Sequence, residues 1–385
     1  MKKPRLFIVL TMIIIFCTTF IIYDSKKNLK IADHQFKVKE YDVVMGSKVE
    51  VDKSKIEVKN KTVKLIPYEG KINHIFFHPL VAYNKRAFDG DGQAQGMDDW
   101  FITAKEFKEI LKQLYKNNYI LVNINDIYEE VQQGSEKIMK RKELLLPESK
   151  KPLIISIDDL NYYEYMIKDG TVSKLIIDND GKVATLSKDY NGREVVSRGN
   201  EIIPLLDDFV EVNPDFSLNN AKGTIALTGY EGILGYRTNR QNPNKDEEKK
   251  EVIKIVNKLK ETGWNFASHS YGHPNMRQSS YNKVVDDTNK WIDEVESIVG
   301  QTQVYIYPFG AGFKATDSRF RFLQQQGFKI FCGVGPISYE EILSNGVITD
   351  RRHCDGISLR NQRKEFLDLY DGNMILDIQG RKGID

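Results

Sequence analysis

Apolar runs of three to five residues recur along this chain, each followed by a polar break and then by a stretch with apolar positions three and four apart. Ile75-Phe76-Phe77 reads as a first strand. Thr103-Ala104-Lys105-Glu106 reads as a capping box opening a helix with Phe107, Ile110, Leu111 and Leu114 on one face, and Tyr119 to Val122 returns as a strand. After Pro152 the alternation resumes: Leu153-Ile154-Ile155 and Gly223 to Leu227 read as neighbouring strands of one sheet. Between them lies an insertion from about 161 to 199, with a hairpin over Leu175 to Val183. Val252 to Leu259 is helical with Gly263 as its stop, the charged run Lys245 to Glu251 is a solvated helix start, and Trp264 to Ala267 is the next strand. Val284, Trp291, Ile292 and Val295 mark another buried helix face, and Val304 to Tyr307 and Phe328 to Phe331 read as late strands. Strand and helix alternating from Ile72 to Asp371 predict an α/β fold with a parallel sheet, open or closed into a barrel.

The N-terminus follows a different pattern. Leu6 to Tyr23 form an uncharged run of 18 residues behind Lys2, Lys3 and Arg5, which predicts an uncleaved transmembrane anchor over 1–23 with the rest of the chain outside the cytoplasm. A cleaved signal peptide is the competing reading, but no small-residue cleavage site follows. Residues 24–71 are then a juxtamembrane segment, given a small β element by the alternating stretches Lys48 to Asp52 and Lys55 to Lys59. Beyond the anchor, 53 basic residues face 54 acidic ones, a net charge of −1 that does not suggest a nucleic-acid partner. Cysteines number three, with Cys17 in the apolar run, so Cys332 and Cys354 are the only pair outside it.

Two motifs bear the chemistry, each at the end of an apolar run. Ser156-Ile157-Asp158-Asp159-Leu160 supplies two carboxylates, and Ser268-His269-Ser270-Tyr271-Gly272-His273 supplies two imidazoles four residues apart. In a straight strand adjacent aspartates point to opposite faces, but at a strand end the turning chain brings both to one cavity. One then ligates a divalent metal while the other is left as a base, and three protein ligands leave zinc an open position for water. Open α/β folds place ligands beyond the carboxyl ends of their strands, where both motifs fall.

The aspartate motif resembles the Thr-Phe-Asp-Asp-Gly motif of polysaccharide deacetylases, the NodB-homology domain of carbohydrate esterase family 4. Ser268 to His273 is similar to that family's His-Ser/Thr-x-x-His motif. Tyr305-Ile306-Tyr307-Pro308-Phe309-Gly310 resembles its third motif, in the form found in poly-N-acetylglucosamine deacetylases. The resemblance implies a distorted (β/α) barrel of about seven strands over 72–385. It further implies Asp158 as catalytic base, Asp159, His269 and His273 as ligands of a divalent metal, expected to be zinc, and the Phe309 amide as an oxyanion donor. Tyr307 and Pro308 would contact the substrate, an N-acetylated extracytoplasmic polysaccharide, with the Phe309 ring also packing on a sugar face. Arg237 is expected to reach the substrate from its own position in the Gly-rich segment Gly229 to Arg237, just after a strand. Leu160 stands where the family has Gly, Ile306 where it usually has Arg, and no Leu-x-His motif follows to supply the general acid. His78 and His353, at strand ends, are the candidates for that acid; His78 is preferred, and His74 is taken to precede the first strand. Two other readings stay open: a catalytically silent glycan-binding protein and a hydrolase of non-sugar amides.

Overall fold

In the computed structural model the described residues are 64–382. The anchor expected over 1–23 and the strand-like stretches 48–52 and 55–59 lie outside them. Among the described residues no helix is long and apolar enough to cross a membrane.

Seven strands form the barrel: β1 (Asn73–Phe77), β2 (Lys151–Asp158), β3 (Thr224–Leu227), β4 (Asn265–Ser268), β5 (Val304–Ile306), β6 (Ile330–Val334) and β7 (Gly346–His353). Each pairs in parallel with the next, and β7 closes on β1 through Arg352↔Ile75 and His353↔Phe76. The wall is distorted at two places. Tyr119–Leu121 runs beside the lower part of β2, and Tyr339–Leu343 lies antiparallel on the lower part of β7.

Strand alternation sorts the side chains into two layers. Ile154, Ala226, Ala267, Val304, Ile330 and Val347, one from each of six strands, cluster inside the barrel. Their neighbours Ile155, Ile157, Ile225, Tyr305 and Phe331 join the outer core under the helices. Both faces are therefore apolar, which is why these strands read as continuous apolar runs.

The helices follow the expected pattern. Ala104–Lys116 (α1) begins with the Thr103–Glu106 capping box, both reciprocal bonds being present, and buries Phe107, Ile110, Leu111 and Leu114. Such a cap contributes about 1 kcal/mol. Lys245–Glu261 (α2) starts at the charged run, as read, and buries Val252, Ile255, Val256 and Leu259. Gly263 ends the segment with φ +97°, where a side-chain carbon would lie 1.9 Å from the Asn220 carbonyl oxygen, so no larger residue fits. Tyr281–Trp291 (α3) presents Val284 and Trp291 to the core. The insertion holds the expected hairpin and a third strand besides, Lys174–Ile177, Val183–Lys188 and Glu194–Ser197 forming an antiparallel meander. Cys332 and Cys354 are buried free thiols. His74 is not before the first strand but within β1, turned inward and 3% exposed.

Candidate metal and catalytic site

The parallel register brings the two motifs to one end of the barrel. The Asp159 amide still donates to the Ala226 carbonyl and the His269 amide to the Leu227 carbonyl, so both residues sit on the last rung of the ladder. The chain then turns sharply, with φ of 58° at Asp159, 59° at Ser270, 52° at His273 and 58° at Phe309. Left-handed conformations of non-glycine residues cost about 1–3 kcal/mol each and persist where surroundings enforce them. Here Asp287 of α3 enforces one of them, accepting the Tyr271 and Gly272 amides at 2.8 Å each, while Ser270 Oγ accepts the His273 amide. The His-x-x-x-His pair is thus set by a braced loop rather than by a helix face.

Asp159, His269 and His273 offer one ligand atom apiece, all within 4.8 Å of one another. The His269 Nδ1–H donates to the Ile306 carbonyl at 2.8 Å, which leaves Nε2 as the free donor atom for a metal. Burial lowers the pKa of His269, against the pull of the nearby aspartates, and so favours the neutral imidazole that a metal requires. Tyr163 donates to Asp159 Oδ1 at 2.6 Å, and Oδ2 lies 3.7 Å from His273 Nε2. One oxygen and two nitrogens, each oriented by a hydrogen bond or a braced loop, fit a zinc-like divalent ion.

Asp158 points to the same mouth, Oδ2 lying 3.9 Å from His269 Nε2, but its principal partner was not anticipated from the sequence. Arg351 of β7 grips it with both guanidinium arms, at 2.6 and 2.9 Å. Burial works against this carboxylate, yet the charge and hydrogen bonds of Arg351 outweigh it and bring its pKa to about 2. The group is therefore ionised at neutral pH. Arg351 was legible only as part of the polar run around His353.

Both candidate acids stand on the rim. His78 follows β1, is half-buried, and donates through Nδ1 to the Trp100 carbonyl at 3.0 Å. His353 ends β7, with Nδ1 2.6 Å from an Asp355 oxygen. Burial disfavours the His353 imidazolium, but the Asp355 carboxylate more than compensates and the pKa is raised.

The expected substrate contacts fare unequally. Phe309 projects its ring, 68% exposed, 4.6 Å from the His273 ring. Tyr307 does not reach a sugar: its ring is 2% exposed and packs on Phe313 and Phe331, because alternation along β5 turns Tyr305 and Tyr307 outward, under the helices. Pro308 is buried and starts the 3-10 turn that presents Phe309. Arg237 is committed to the protein, donating to Glu164 and to the carbonyls of Tyr162 and Glu231, so it braces the loop after Asp159 instead of facing the substrate. Trp100, 51% exposed beside His78, was overlooked.

The family model for polysaccharide deacetylase matches residues 222–330, which include the histidine motif and the Tyr307 to Gly310 turn. No curated protein matches. Among solved structures, a polysaccharide deacetylase from Bacillus cereus is 14% identical, with 78% of this chain and 69% of that chain covered at a TM-score of 0.43. IcaB from Ammonifex degensii is 12% identical over 75% and 93%, at 0.42. The de-N-acetylase from Aggregatibacter actinomycetemcomitans is 11% identical over 78% and 100%, at 0.43. The family match reaches from the third barrel strand into the sixth, and over these residues the barrel is similar to polysaccharide deacetylases.

Proposed function

We propose that this protein is a metal-dependent deacetylase that hydrolyses N-acetyl groups of N-acetylhexosamine residues in an extracytoplasmic polysaccharide, held at the cell membrane by the apolar run 6–23. The observation that carries the reading is the pairing, at one barrel mouth, of an oxygen-and-nitrogen donor triad with a second carboxylate kept ionised by its own arginine. Asp159, His269 and His273 would hold the ion, which when bound supplies Lewis-acid polarisation of the acetyl carbonyl and of water. Asp158 takes the proton of the attacking water as its oxygen bonds to the acetyl carbon. The Phe309 amide donates to the developing oxyanion. The C–N bond then breaks as the amine nitrogen gains a proton, releasing acetate and a free amine. That proton is assigned to His78, at the end of β1. His353 is the second assignment, favoured by its carboxylate partner Asp355, which raises the pKa of the imidazole. The exposed ring of Phe309 stacks on a sugar face.

The test is acetate release by the purified full-length protein from peptidoglycan and from poly-N-acetylglucosamine, with and without chelator, beside simple acetamides. Chelator-sensitive release from a glycan supports the reading. Metal bound but no release from either polymer would establish the silent glycan-binding protein, and release from acetamides alone the non-sugar hydrolase.

A further inference from the structure

The grip of Arg351 on Asp158 is itself held from below, by groups that the reaction does not use. Arg351 Nη1 donates to Ser156 Oγ at 3.1 Å as well as to Asp158. Ser156 Oγ in turn lies 3.0 Å from His74 Nε2. Arg351 and Ser156 are fully buried and His74 is 3% exposed, so water does not substitute freely for any link. The Arg351 guanidinium also donates through Nε to the Gly333 carbonyl and rests on the Phe76 ring at 4.2 Å. All four residues of the column point into the barrel, on three neighbouring strands, β1, β2 and β7.

Proton counting settles the direction of the bonds. Arginine only donates, so Ser156 Oγ accepts from Arg351, and the single serine proton must find an acceptor. His74 Nε2 is the one within reach, which places the imidazole proton on Nδ1. The opposite tautomer leaves both the serine proton and the Nδ1 lone pair without a partner, whereas this one leaves a single unsatisfied atom, Nδ1, the atom of His74 that has no partner in the fold. Burial, reinforced by the Arg351 charge, keeps the imidazole neutral and so able to accept. His74 also lines a cleft of about 460 Å³ in the distorted wall between β1 and the strand Tyr339–Leu343, with Lys71, Tyr128, Ser338 and Asp350 among its lining.

We propose that His74 is a positioning residue for the base: by accepting the Ser156 proton at Nε2, it turns the serine oxygen towards Arg351 and fixes the guanidinium plane in which Asp158 is held. The inference rests on Asp158 acting as the base of the deacetylase. Without His74 the serine hydroxyl is free to rotate its proton towards Arg351, and the arginine loses the acceptor that aligns it. Networks of this kind act as units in a low dielectric, so loss of one link is felt at the far end.

Two measurements on the full-length protein test it. Steady-state kinetics of the metal-loaded enzyme should show His74→Asn, which carries no acceptor at the Nε2 position, lowering kcat about 10- to 100-fold, the range for lost outer-shell partners, with KM and metal content unchanged. His74→Gln, whose carbonyl oxygen reaches the Nε2 position, should restore most of it. Ser156→Ala should match His74→Asn, and the double variant should be no slower than either. Independently of activity, imidazole ¹⁵N resonances of the metal-free protein should report His74 as a neutral Nδ1–H tautomer, with His74→Gln used to identify the signal. Equal kcat for His74→Asn and wild type, equal losses in the Asn and Gln variants, additive losses in the double variant, or an Nε2–H tautomer would each overturn the proposal. A wild-type protein that releases no acetate would defeat the deacetylase reading instead, while the tautomer would still decide the arrangement of the column.

Discussion

The upper and lower halves of the barrel interior are built by the same seven strands and differ in almost every physical respect. Below, Ile154, Ala226, Ala267, Val304, Ile330 and Val347 pack as an apolar plug. Above, the same strands end in Asp158, His269, Arg351 and His353, followed by turns in left-handed conformations. The plug stabilises the fold and tolerates no charge. The mouth holds a buried carboxylate–guanidinium pair, Asp158 and Arg351, in which each charge depends on the other for its partner in place of water. Stability and chemistry are thus separated along each strand by a few residues, with the column from His74 to Asp158 joining the two levels.

Substitutions at the mouth should reduce activity far more than stability. Asp158→Asn should keep the metal and lower turnover by about 10² to 10⁴, as expected for loss of a general base. His269→Ala should lose metal and activity together. Loss of metal from Asp158→Asn, measured by metal analysis, would mean the two aspartates have exchanged roles. Next in size is the general acid. If His78 is the proton source, as assigned, His78→Ala should lower turnover by about 10²-fold at unchanged metal content, and His353→Ala by less; the reverse order would move the role to His353. Kinetics of the two variants across pH decide between them.

Substitutions in the plug should behave in the opposite way. Ile154→Ala should cost about 2–5 kcal/mol of stability by opening a cavity. Turnover per folded molecule should be preserved, as denaturant melts beside active-site titration would show. A loss of kcat instead would mean the plug is coupled to the mouth. The most graded effect concerns Glu201, which is fully buried and accepts the Leu80 and Ile202 amides. Burial outweighs these bonds and raises its pKa from 4.5 to about 8. A raised folded-state pKa gives stability that is complete below the unfolded value and is lost as pH rises through the folded one. The melting temperature should therefore decline between about pH 5 and pH 8, and Glu201→Gln should flatten that slope.

Much of the site was legible because its parts are local. Each of the two motifs follows an apolar run, and the parallel order of β2, β3 and β4 does the rest. The second turn contains Gly272, but the strained positions are not glycines: Asp159, Ser270 and His273 adopt positive φ themselves. The last strand was anticipated only through the strand end given to His353, and its bounds were not read. Gly346–His353 reads as a mixed polar segment because, above Val347, its inward positions are Thr349, Arg351 and His353, which lead from the core to the site. Tyr307 misled for the converse reason. With both faces of β5 buried, Val304 to Tyr307 shows no alternation, and nothing in the run says which ring looks inward.

From the sequence alone came most of the elements, their order and the two motifs able to hold a metal, since these depend on hydrophobic period and on groups within a few residues of each other. The barrel itself was implied by the resemblance of those motifs to a known family. Tertiary structure alone decided which partner each group has. Arg351 and Asp158 are 193 residues apart and meet only because β7 closes the barrel beside β1 and β2. His74, Ser156, Tyr163 and Asp355 likewise acquire their roles from hydrogen bonds whose length and direction are set by strand register. No local pattern encodes such a register, because it is fixed by how a whole sheet closes on itself.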